Sequence, residues 1–286
     1  AHKLIVGRFE TAKGFSVVIP SDEKVLERII IPGKEKNGAV HGMIVVAEIE
    51  KWPTKNAGPS GRVVEVIGDP QDADVEAEVI LRKFGLLNRF PREVVAEAKE
   101  IPSEVSVHDI RGRVDLRGFT TITIDGESAR DFDDAVSIER TTHGYRLRVS
   151  IADVSHYVRP ATGLDREAYG RSTSVYFPDR CVPMLPEALS NGICSLNPRV
   201  DRLTMTAELE FDGAGEVVKK RLYESVIKSA ERMTYTDVKK ILKDEDAVLT
   251  GRYTHIIADL LVMEELALKL MERRREAGSI DFDLPE

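Results

Sequence analysis

Five acidic residues lie within ten positions of one another in the segment TITIDGESARDFDDAVSI (121–138). They are Asp125, Glu127, Asp131, Asp133 and Asp134. Arg130 is the one cation among them, so the carboxylates repel each other unless water or a bound cation compensates. The flanks on both sides are β-branched and apolar, which is typical of strands. The acids are therefore expected in a loop between two strands.

Residue types and spacing alone leave three interpretations of this acidic segment open. A solvated polar loop is the default for an acid-rich stretch. A calcium loop fits the alternate acids at 131 and 133, but the Gly at its sixth position and the closing Glu at its twelfth are missing. The third is a magnesium site for phosphoryl transfer, because Mg²⁺ takes oxygen ligands and two such ions activate water and stabilise a leaving oxygen.

Composition limits the class of protein. The chain has 286 residues, 42% hydrophobic and 31% charged, which is enough for two domains with cores of their own. The net charge is −8, but residues 1–70 carry +1 (10 Lys and Arg against 9 Asp and Glu) and residues 71–286 carry −9 (31 against 40). Two cysteines, Cys181 and Cys194, make neither a disulfide framework nor a good zinc site. Without a membrane-length apolar run or a signal-peptide pattern, we expect a cytoplasmic protein with no membrane partner.

Short apolar runs separated by Gly, Pro and Lys predict a small closed barrel at the start of the chain. The five runs are 4–9, 15–19, 28–32, 43–49 and 62–67, with turn residues at Lys13-Gly14 and Asn37-Gly38. In such barrels, aromatic rings on one face stack on bases while basic residues follow phosphates. Phe9, Phe15 and Trp52 are candidates for such stacking, and for each ring a position in the core is equally open.

The remainder of the chain mixes helical and strand patterns. Residues 74–100 have helical periodicity that is broken at Gly85 and Pro91, which predicts a helical connector. Alternation of apolar and polar residues predicts strands over 145–151 and 203–211.

Local signals also predict two helices near the end of the chain. Thr234–Asp237 resembles a capping box before a helix that ends near Leu242. A longer helix is predicted over 256–270, with Gly278 as its C-terminal cap. Because strands and helices alternate without βαβ regularity, we expect an α+β domain around a largely antiparallel sheet.

The acidic segment resembles a known signature. TIDGESARDFDDA (123–135) is similar to the start of the RNB catalytic domain of the ribonuclease II and ribonuclease R family. That pattern has four acids spaced 0, 6, 8 and 9, which are matched by Asp125, Asp131, Asp133 and Asp134. The resemblance continues, in ribonuclease R-like form, through 149–198 and reaches GSIDFDLPE (278–286).

The barrel region carries a second resemblance. KGFSVVIP (13–20) and residues 29–49 are similar to the cold-shock domains that precede exoribonuclease catalytic domains, with Val17 in place of a Phe. The resemblance implies an all-β OB-type cold-shock barrel followed by the α+β catalytic domain. The implied limits are 1–72 for the barrel, 73–102 for the helical connector and 103–286 for the N-terminal half of the RNB domain.

The family resemblance implies a function. Its members hydrolyse single-stranded RNA processively from the 3′ end and release 5′-nucleoside monophosphates with Mg²⁺. On that analogy Asp125, Asp131 and Asp134 hold the metal and Asp133 is most critical to the chemical step. The implied or candidate RNA contacts are Tyr176 at the 3′-terminal base, Phe9 and Phe15 on the barrel, and Arg130 and Arg180 at phosphates.

The resemblance also implies a missing partner. On the family pattern the chain ends about halfway through the catalytic domain, so we expect a complementary chain to carry the rest and the isolated chain to be inactive. A non-catalytic RNA-binding module is the alternative function. His156 is expected to be structural, and Ser195 has no partner that would make it a nucleophile.

Overall fold

The structure is a computed structural model that describes residues 3–12, 14–55, 57–86, 89–177, 180–244 and 246–280. The chain forms two compact units. The first comprises residues 1–90 with 171–182, and the second comprises residues 91–170 with 183–286. Lys13 of the predicted Lys13-Gly14 turn, and the DFDLPE part of the terminal motif, lie outside the described residues.

The first unit contains a closed barrel of five strands, as predicted. The strands are β1 (Leu4–Ala12), β2 (Phe15–Pro20), β3 (Ile29–Ile31), β4 (Ile44–Lys51) and β5 (Ser60–Gly68). They follow the order β1-β2-β3-β5-β4 around the barrel. The strands approach so closely at Gly61 that a Cβ there would lie 1.9 Å from the Glu48 carbonyl oxygen. Only glycine permits this contact, so the residue helps to close the barrel.

Two helices follow the barrel, α1 (Ala73–Lys83) and α2 (Arg92–Glu100). The predicted breaks in the helical pattern at Gly85 and Pro91 are confirmed. Gly85 has a φ of +66° just after α1, and Pro91 stands at the N-cap of α2. Proline there lacks only an N–H that the helix would leave unpaired.

The remaining elements build a seven-stranded sheet with helices. In chain order they are α3 (Val107–Ile110), β6 (Val114–Asp115), β7 (Ile122–Asp125), β8 (Asp134–Arg140), β9 (Gly144–Ala152), α4 (Val154–Tyr157), α5 (Gly163–Arg171), β10 (Val175–Tyr176), β11 (Cys181–Val182), β12 (Asp201–Asp212), β13 (Val217–Lys228), β14 (Glu231–Thr234), α6 (Tyr235–Leu242), α7 (Ala247–Arg252) and α8 (Thr254–Glu276). A π-helical turn spans Ala188–Ile193. The β10–β11 hairpin belongs to the first unit.

The sheet order is β14-β7-β8-β9-β12-β13-β6. The four inner pairings are antiparallel, and the two outer pairings, β14 with β7 and β13 with β6, are parallel. The predicted α+β domain around a largely antiparallel sheet is therefore confirmed. The strands predicted over 145–151 and 203–211 are β9 and β12.

The sheet carries a core on each face. On one face, Ile138, Tyr145 and Phe211 pack against Leu266 of α8. On the other face, the acid-loop residue Phe132 packs with a set of buried apolar residues, Leu116, Ala135, Ala152, Leu196 and Ile227. The acid loop is thus attached to the sheet through the buried ring that lies between two of its acids.

The predicted N-terminal cap of α6 and C-terminal cap of α8 are confirmed, the former through one of the two hydrogen bonds of a capping box. The Thr234 hydroxyl accepts the Asp237 N–H at 2.9 Å at the start of α6. Gly278 has a φ of +90° after α8, and its N–H donates to the Arg275 carbonyl at 3.0 Å, as in a Schellman motif. Within the described part of the chain, no helix has the length and apolar character needed to cross a membrane.

Candidate metal centre

The four predicted acids lie at one end of the β7–β8 hairpin. Asp125 is the last residue of β7 and Asp134 is the first residue of β8, while Asp131 and Asp133 lie in the loop that joins them. The two strands pair antiparallel, with Ile122 opposite Val136. Because the loop leaves β7 and returns to β8 at the same end of this pair, the 0, 6, 8, 9 spacing brings the acids into one region.

One oxygen of the Asp125 carboxyl group is buried without a partner. Among the described residues, none forms a hydrogen bond with its Oδ2. Partial burial raises the pKa of Asp125, and the charges of Asp134, Asp131 and Asp133 raise it further, whereas Arg232 opposes the shift. A buried carboxylate oxygen without a partner is costly and is stabilised by a proton or a bound cation.

Asp133 is also affected by its neighbours. The residue as a whole is exposed, yet its carboxyl is surrounded by enough protein to lose part of its hydration. This burial raises the pKa of Asp133, and Asp131 and Asp134 raise it further. The shared repulsion shows that the acids are close enough to act as one electrostatic cluster.

The chemistry of the cluster fits a divalent metal. Among the described residues, no three His, Cys, Asp or Glu side chains are already arranged so as to enclose an ion. The donor set nevertheless fits Mg²⁺, because all four groups are hard oxygen ligands and the unpaired Oδ2 of Asp125 requires a positive partner. Asp125, Asp131 and Asp134 are the residues that could hold the ion.

Arg232 holds the first half of the acid loop. It lies on β14, opposite Thr123 of β7, and its Nη2 donates to the carbonyl oxygens of Gly126 and Glu127. Its guanidinium carbon is 5.5 Å from the centre of the Phe132 ring. Arg232 therefore supplies a positive charge beside the acids and fixes the backbone that follows Asp125.

Ser195 holds the second half of the loop. Its hydroxyl donates to the Arg130 carbonyl at 2.8 Å and accepts the Phe132 N–H at 3.0 Å. The Leu196 N–H donates to the Phe132 carbonyl at 2.9 Å, and the Ala152 N–H donates to the Asp133 carbonyl at 2.8 Å. Sequence reasoning missed Arg232 and the positional role of Ser195, because both act on the loop from distant parts of the chain.

A cavity of about 550 Å³ adjoins the acid loop. Its lining comprises Arg130, Phe132, Glu187, Ala188, Asn191, Gly192 and Asn197. The π-helical turn thus forms one wall and the acid loop forms another. A guanidinium and two amides beside a carboxylate cluster can contact phosphates and base edges. Arg130, predicted to contact phosphate, is exposed at this cavity.

The two predicted phenylalanine contacts differ in burial. Phe9 is fully buried in the barrel core with Val18 and Ile29, so the prediction that it contacts RNA is wrong. A ring that packs on all sides cannot also stack on a base. Phe15 is 56% exposed and keeps an accessible face.

The other predicted RNA contacts in the first unit are Tyr176 and Arg180. Tyr176 ends β10 and is 65% exposed, so its ring is accessible. Arg180 forms ion pairs with Asp74 and Glu78 of α1, which already offset its charge. Their roles at a 3′-terminal base and at phosphate stay predictions.

Other titratable residues that are not candidate metal ligands have different surroundings. The pKa of Glu127 is lowered by a hydrogen bond with Thr236, so this carboxylate is bound outside the cluster. His156 Nε2 lies 3.1 Å from Asp109 Oδ1, as a structural histidine would. Neither cysteine forms a disulfide bond, and burial raises the pKa of Cys194 to about 12.

Comparison with known protein families shows to which family this chain belongs. Residues 113–286 match the family model described as the RNB domain, a match that includes all four acids. The chain belongs to the RNB domain family. Residues 18–91 match a second family model, the cold shock domain. The resemblance found in the motifs is confirmed in both parts of this RNB-family chain.

Several relatives of this RNB-family chain are ribonucleases. Ribonuclease R of Vibrio cholerae is 44% identical over 283 residues, which cover 99% of this chain and 34% of the relative. Ribonuclease R of Escherichia coli is 43% identical over 284 residues, covering 99% and 35%. The structure of Mycoplasma genitalium RNase R in complex with double-stranded RNA has a TM-score of 0.87 at 26% identity, covering 98% of this chain and 49% of that one. The chain spans about a third of the length of these two curated relatives.

Proposed function

We propose that this chain is part of an exoribonuclease that hydrolyses single-stranded RNA processively from the 3′ end and releases 5′-nucleoside monophosphates. The observation that carries the proposal is the acid cluster: four carboxylates at one hairpin end, with a buried Asp125 oxygen that has no hydrogen-bond partner in the part of the chain that the structure describes. Membership of the RNB family and the ribonuclease R relatives support the same activity.

In this proposal, each acid has a role. Asp125, Asp131 and Asp134 hold Mg²⁺, and Asp133 is the acid most critical to the chemical step. Bound Mg²⁺ would activate a water molecule and stabilise the leaving oxygen of the phosphodiester. Phe15, 56% exposed, offers a ring on which a base can stack.

Other residues serve RNA binding. Arg130, at the cavity beside the cluster, neutralises a phosphate of the incoming strand. Tyr176 packs against the 3′-terminal base, and Arg180 contacts phosphate only after its ion pairs with α1 are exchanged. Residues 1–72 act as the RNA-binding barrel, 73–102 as the connector and 103–286 as half of the catalytic domain.

We also propose that a complementary polypeptide completes the catalytic domain. In register across the sheet, Asp134 lies opposite Ile151, and Ile151 lies opposite Met205. These two apolar residues are 46% and 44% exposed, and Leu222, on the same face, is 81% exposed. An apolar surface that begins beside a catalytic acid is expected to be covered in the active enzyme.

A cytoplasmic location is part of the proposal. It is supported by Cys181 and Cys194, neither of which forms a disulfide bond, as is usual in a reducing compartment.

Asp133→Asn tests the proposed function, with Glu127→Gln as the matched control in the same loop. The assay combines the chain with a polypeptide that carries the rest of an RNB domain and measures Mg²⁺-dependent release of mononucleotides from poly(A). We expect Asp133→Asn to keep RNA binding and to lose at least about 100-fold in rate, because a carboxylate at the reacting phosphate is removed. Glu127→Gln should cleave normally, since Glu127 is bound to Thr236.

The alternative is a non-catalytic RNA-binding module, and the same assay separates the two. If the wild-type assembly binds poly(A) but releases no nucleotide, and Asp133→Asn changes neither property, the nuclease proposal is wrong. The cluster of four carboxyl groups favours the nuclease, because a pure RNA binder gains nothing from acidic side chains next to phosphates.

A further inference from the structure

We propose that Ser195 is a positioning residue for the metal centre: its hydroxyl fixes the backbone on both sides of Asp131 and thereby holds this acid in the cluster. The metal part of this inference rests on the proposed function. The positioning part rests on hydrogen bonds alone. Ser195 stands apart from the acids in sequence, and its hydroxyl bonds to the backbone of the loop rather than to a carboxylate.

The two hydrogen bonds of Ser195 bracket Asp131. The hydroxyl donates to the carbonyl of Arg130, the residue before the acid, at 2.8 Å. It accepts the N–H of Phe132, the residue after the acid, at 3.0 Å. One hydroxyl is therefore donor and acceptor at once, and it restrains the torsions on both sides of Asp131.

Water cannot easily replace this hydroxyl. Ser195 is 0% exposed and lies among the apolar residues that pack under the loop, including Phe132 and Leu196. Removal of the hydroxyl would leave the buried Phe132 N–H and the partly buried Arg130 carbonyl without this partner. The loop would then gain freedom at the position where Asp131 needs to be fixed.

Ser195 is itself held by the sheet. Arg202, near the start of β12, donates from Nε to the Ser195 carbonyl at 2.7 Å and from Nη2 to the Gly192 carbonyl at 3.1 Å. Arg202 is 7% exposed. A buried arginine with two bonds to one segment fixes that segment firmly. Hydrogen bonds therefore connect the loop around Asp131, through Ser195, to strand β12.

A metal site binds its ion more weakly when a residue that positions one of its ligands is replaced, even if the ligand itself remains. Partners of this kind typically change metal affinity by about 10- to 100-fold. Asp131 is one of three acids proposed to hold the ion, so loss of its support should weaken metal binding without removing any charge.

Ser225 provides a matched control for a merely structural role. It is also 0% exposed, and its hydroxyl is shared with the hydroxyls of Thr204 and Thr206 at 2.7 and 2.6 Å. It lies on β13, three strands from β8 in the sheet order. Ser225→Ala should therefore cost stability in a similar way but leave the acid loop unchanged.

The experiment compares Ser195→Ala, Ser195→Thr and Ser225→Ala in the 286-residue chain. Amide hydrogen exchange of residues 130–134, Mn²⁺ affinity by titration, and thermal unfolding are measured for each. We expect both alanine variants to lower the melting temperature. Only Ser195→Ala should speed exchange at Phe132 and weaken Mn²⁺ binding, by roughly 10-fold for the metal. Ser195→Thr restores the hydroxyl and should recover both properties.

Two outcomes would overturn the inference. Unchanged exchange at 130–134 in Ser195→Ala would show that the hydroxyl does not position the loop, whatever happens to the metal. Equal loss of Mn²⁺ affinity in Ser225→Ala would show a general effect of stability. If the wild-type chain binds no Mn²⁺ while exchange still responds to Ser195→Ala, the proposed metal function fails and the positioning of the loop stands.

Discussion

Phe9 and Phe15 belong to neighbouring strands of one barrel, yet their rings point to opposite sides. Phe9 pairs with Val18, which is also fully buried, so both side chains point into the core. Phe15 lies three positions before Val18 on β2, and side chains alternate along a strand, so its ring points outward. The stacking role predicted for Phe9 fails because the strand pairing, and not the ring itself, decides which side each aromatic residue faces.

The two phenylalanines give a paired prediction. Phe15→Ala should weaken binding of single-stranded RNA by about 1–3 kcal/mol, the usual contribution of one stacked base, with little loss of stability. Phe9→Ala should instead lower the free energy of unfolding by about 3–5 kcal/mol, because it leaves a cavity in the barrel core. Urea unfolding and fluorescence anisotropy with a labelled RNA measure the two effects. Unchanged RNA binding in Phe15→Ala would contradict the role of its exposed ring.

At the residue scale, the sequence predicts the acids but not their supports. The carboxylates are recognisable because their spacing within one loop is local information. Arg232 and Ser195 contact the same loop from 106 and 65 residues away in the chain. A single sequence contains no signal for such a contact, since one buried serine or strand arginine resembles any other.

Local signals also explain which elements could be predicted. The strands of the barrel, the Thr234 cap and the Gly278 cap were predicted because each depends on residues within a few positions. The two-residue strands β6, β10 and β11 and the π-helical turn were not predicted. Their existence depends on tertiary pairing, and two residues carry no periodicity.

The carboxylate of Glu265 connects helix α8 to the β8–β9 hairpin through hydrogen bonds. Glu265 accepts a hydrogen bond from the buried Tyr145 hydroxyl and one from the Arg140 guanidinium. These two bonds lower the pKa of Glu265 to about 2, from an ordinary value of 4.5. The ionised carboxylate therefore stabilises the fold above pH 4.5, and this stabilisation is lost as the pH falls from 4.5 towards 2.

Glu265→Gln should lower the melting temperature at neutral pH, and the difference from wild type should shrink as the pH falls through this range. Thermal unfolding monitored by circular dichroism at a series of pH values measures the effect. Glu272→Gln, an exposed carboxylate on the same helix, is the control and should behave like wild type. A difference that stays constant down to the acid limit would rule out the ionised carboxylate as the source of stability.

At the scale of the whole molecule, one face of the sheet in the second unit is only partly covered. One face of its sheet is covered in part by α8, but Ile151 and Met205 are exposed on that face beside Asp134. Leu222 is exposed on the same face of β13, opposite Ala207. Ile151 and Met205 lie in register on neighbouring strands, and Leu222 lies two residues away from that row on the next strand. Exposed apolar side chains grouped on one face of a sheet mark a contact surface. This surface is the site at which we propose that a complementary polypeptide binds.

The isolated chain is predicted to release no mononucleotides from poly(A) with Mg²⁺, and a polypeptide carrying the rest of an RNB domain should restore release. Leu222→Asp should reduce this restoration at least about 10-fold, because a charge would be buried in the contact. Val248→Asp, at a position that is 81% exposed on α7, is the control. Robust turnover by the isolated chain would contradict the prediction.

The first unit is discontinuous in sequence, which affects how the protein can be divided. Residues 171–182 return to it, where the Arg171 guanidinium stacks on Phe90 at 3.8 Å and Arg180 pairs with Asp74. A fragment that ends at Phe90 would lack both interactions. A single proteolytic cut after Phe90 would likewise leave the two segments of this unit on different fragments. An excised version of the whole first unit, including α1 and Phe90, therefore has to carry residues 171–182 through an engineered linker.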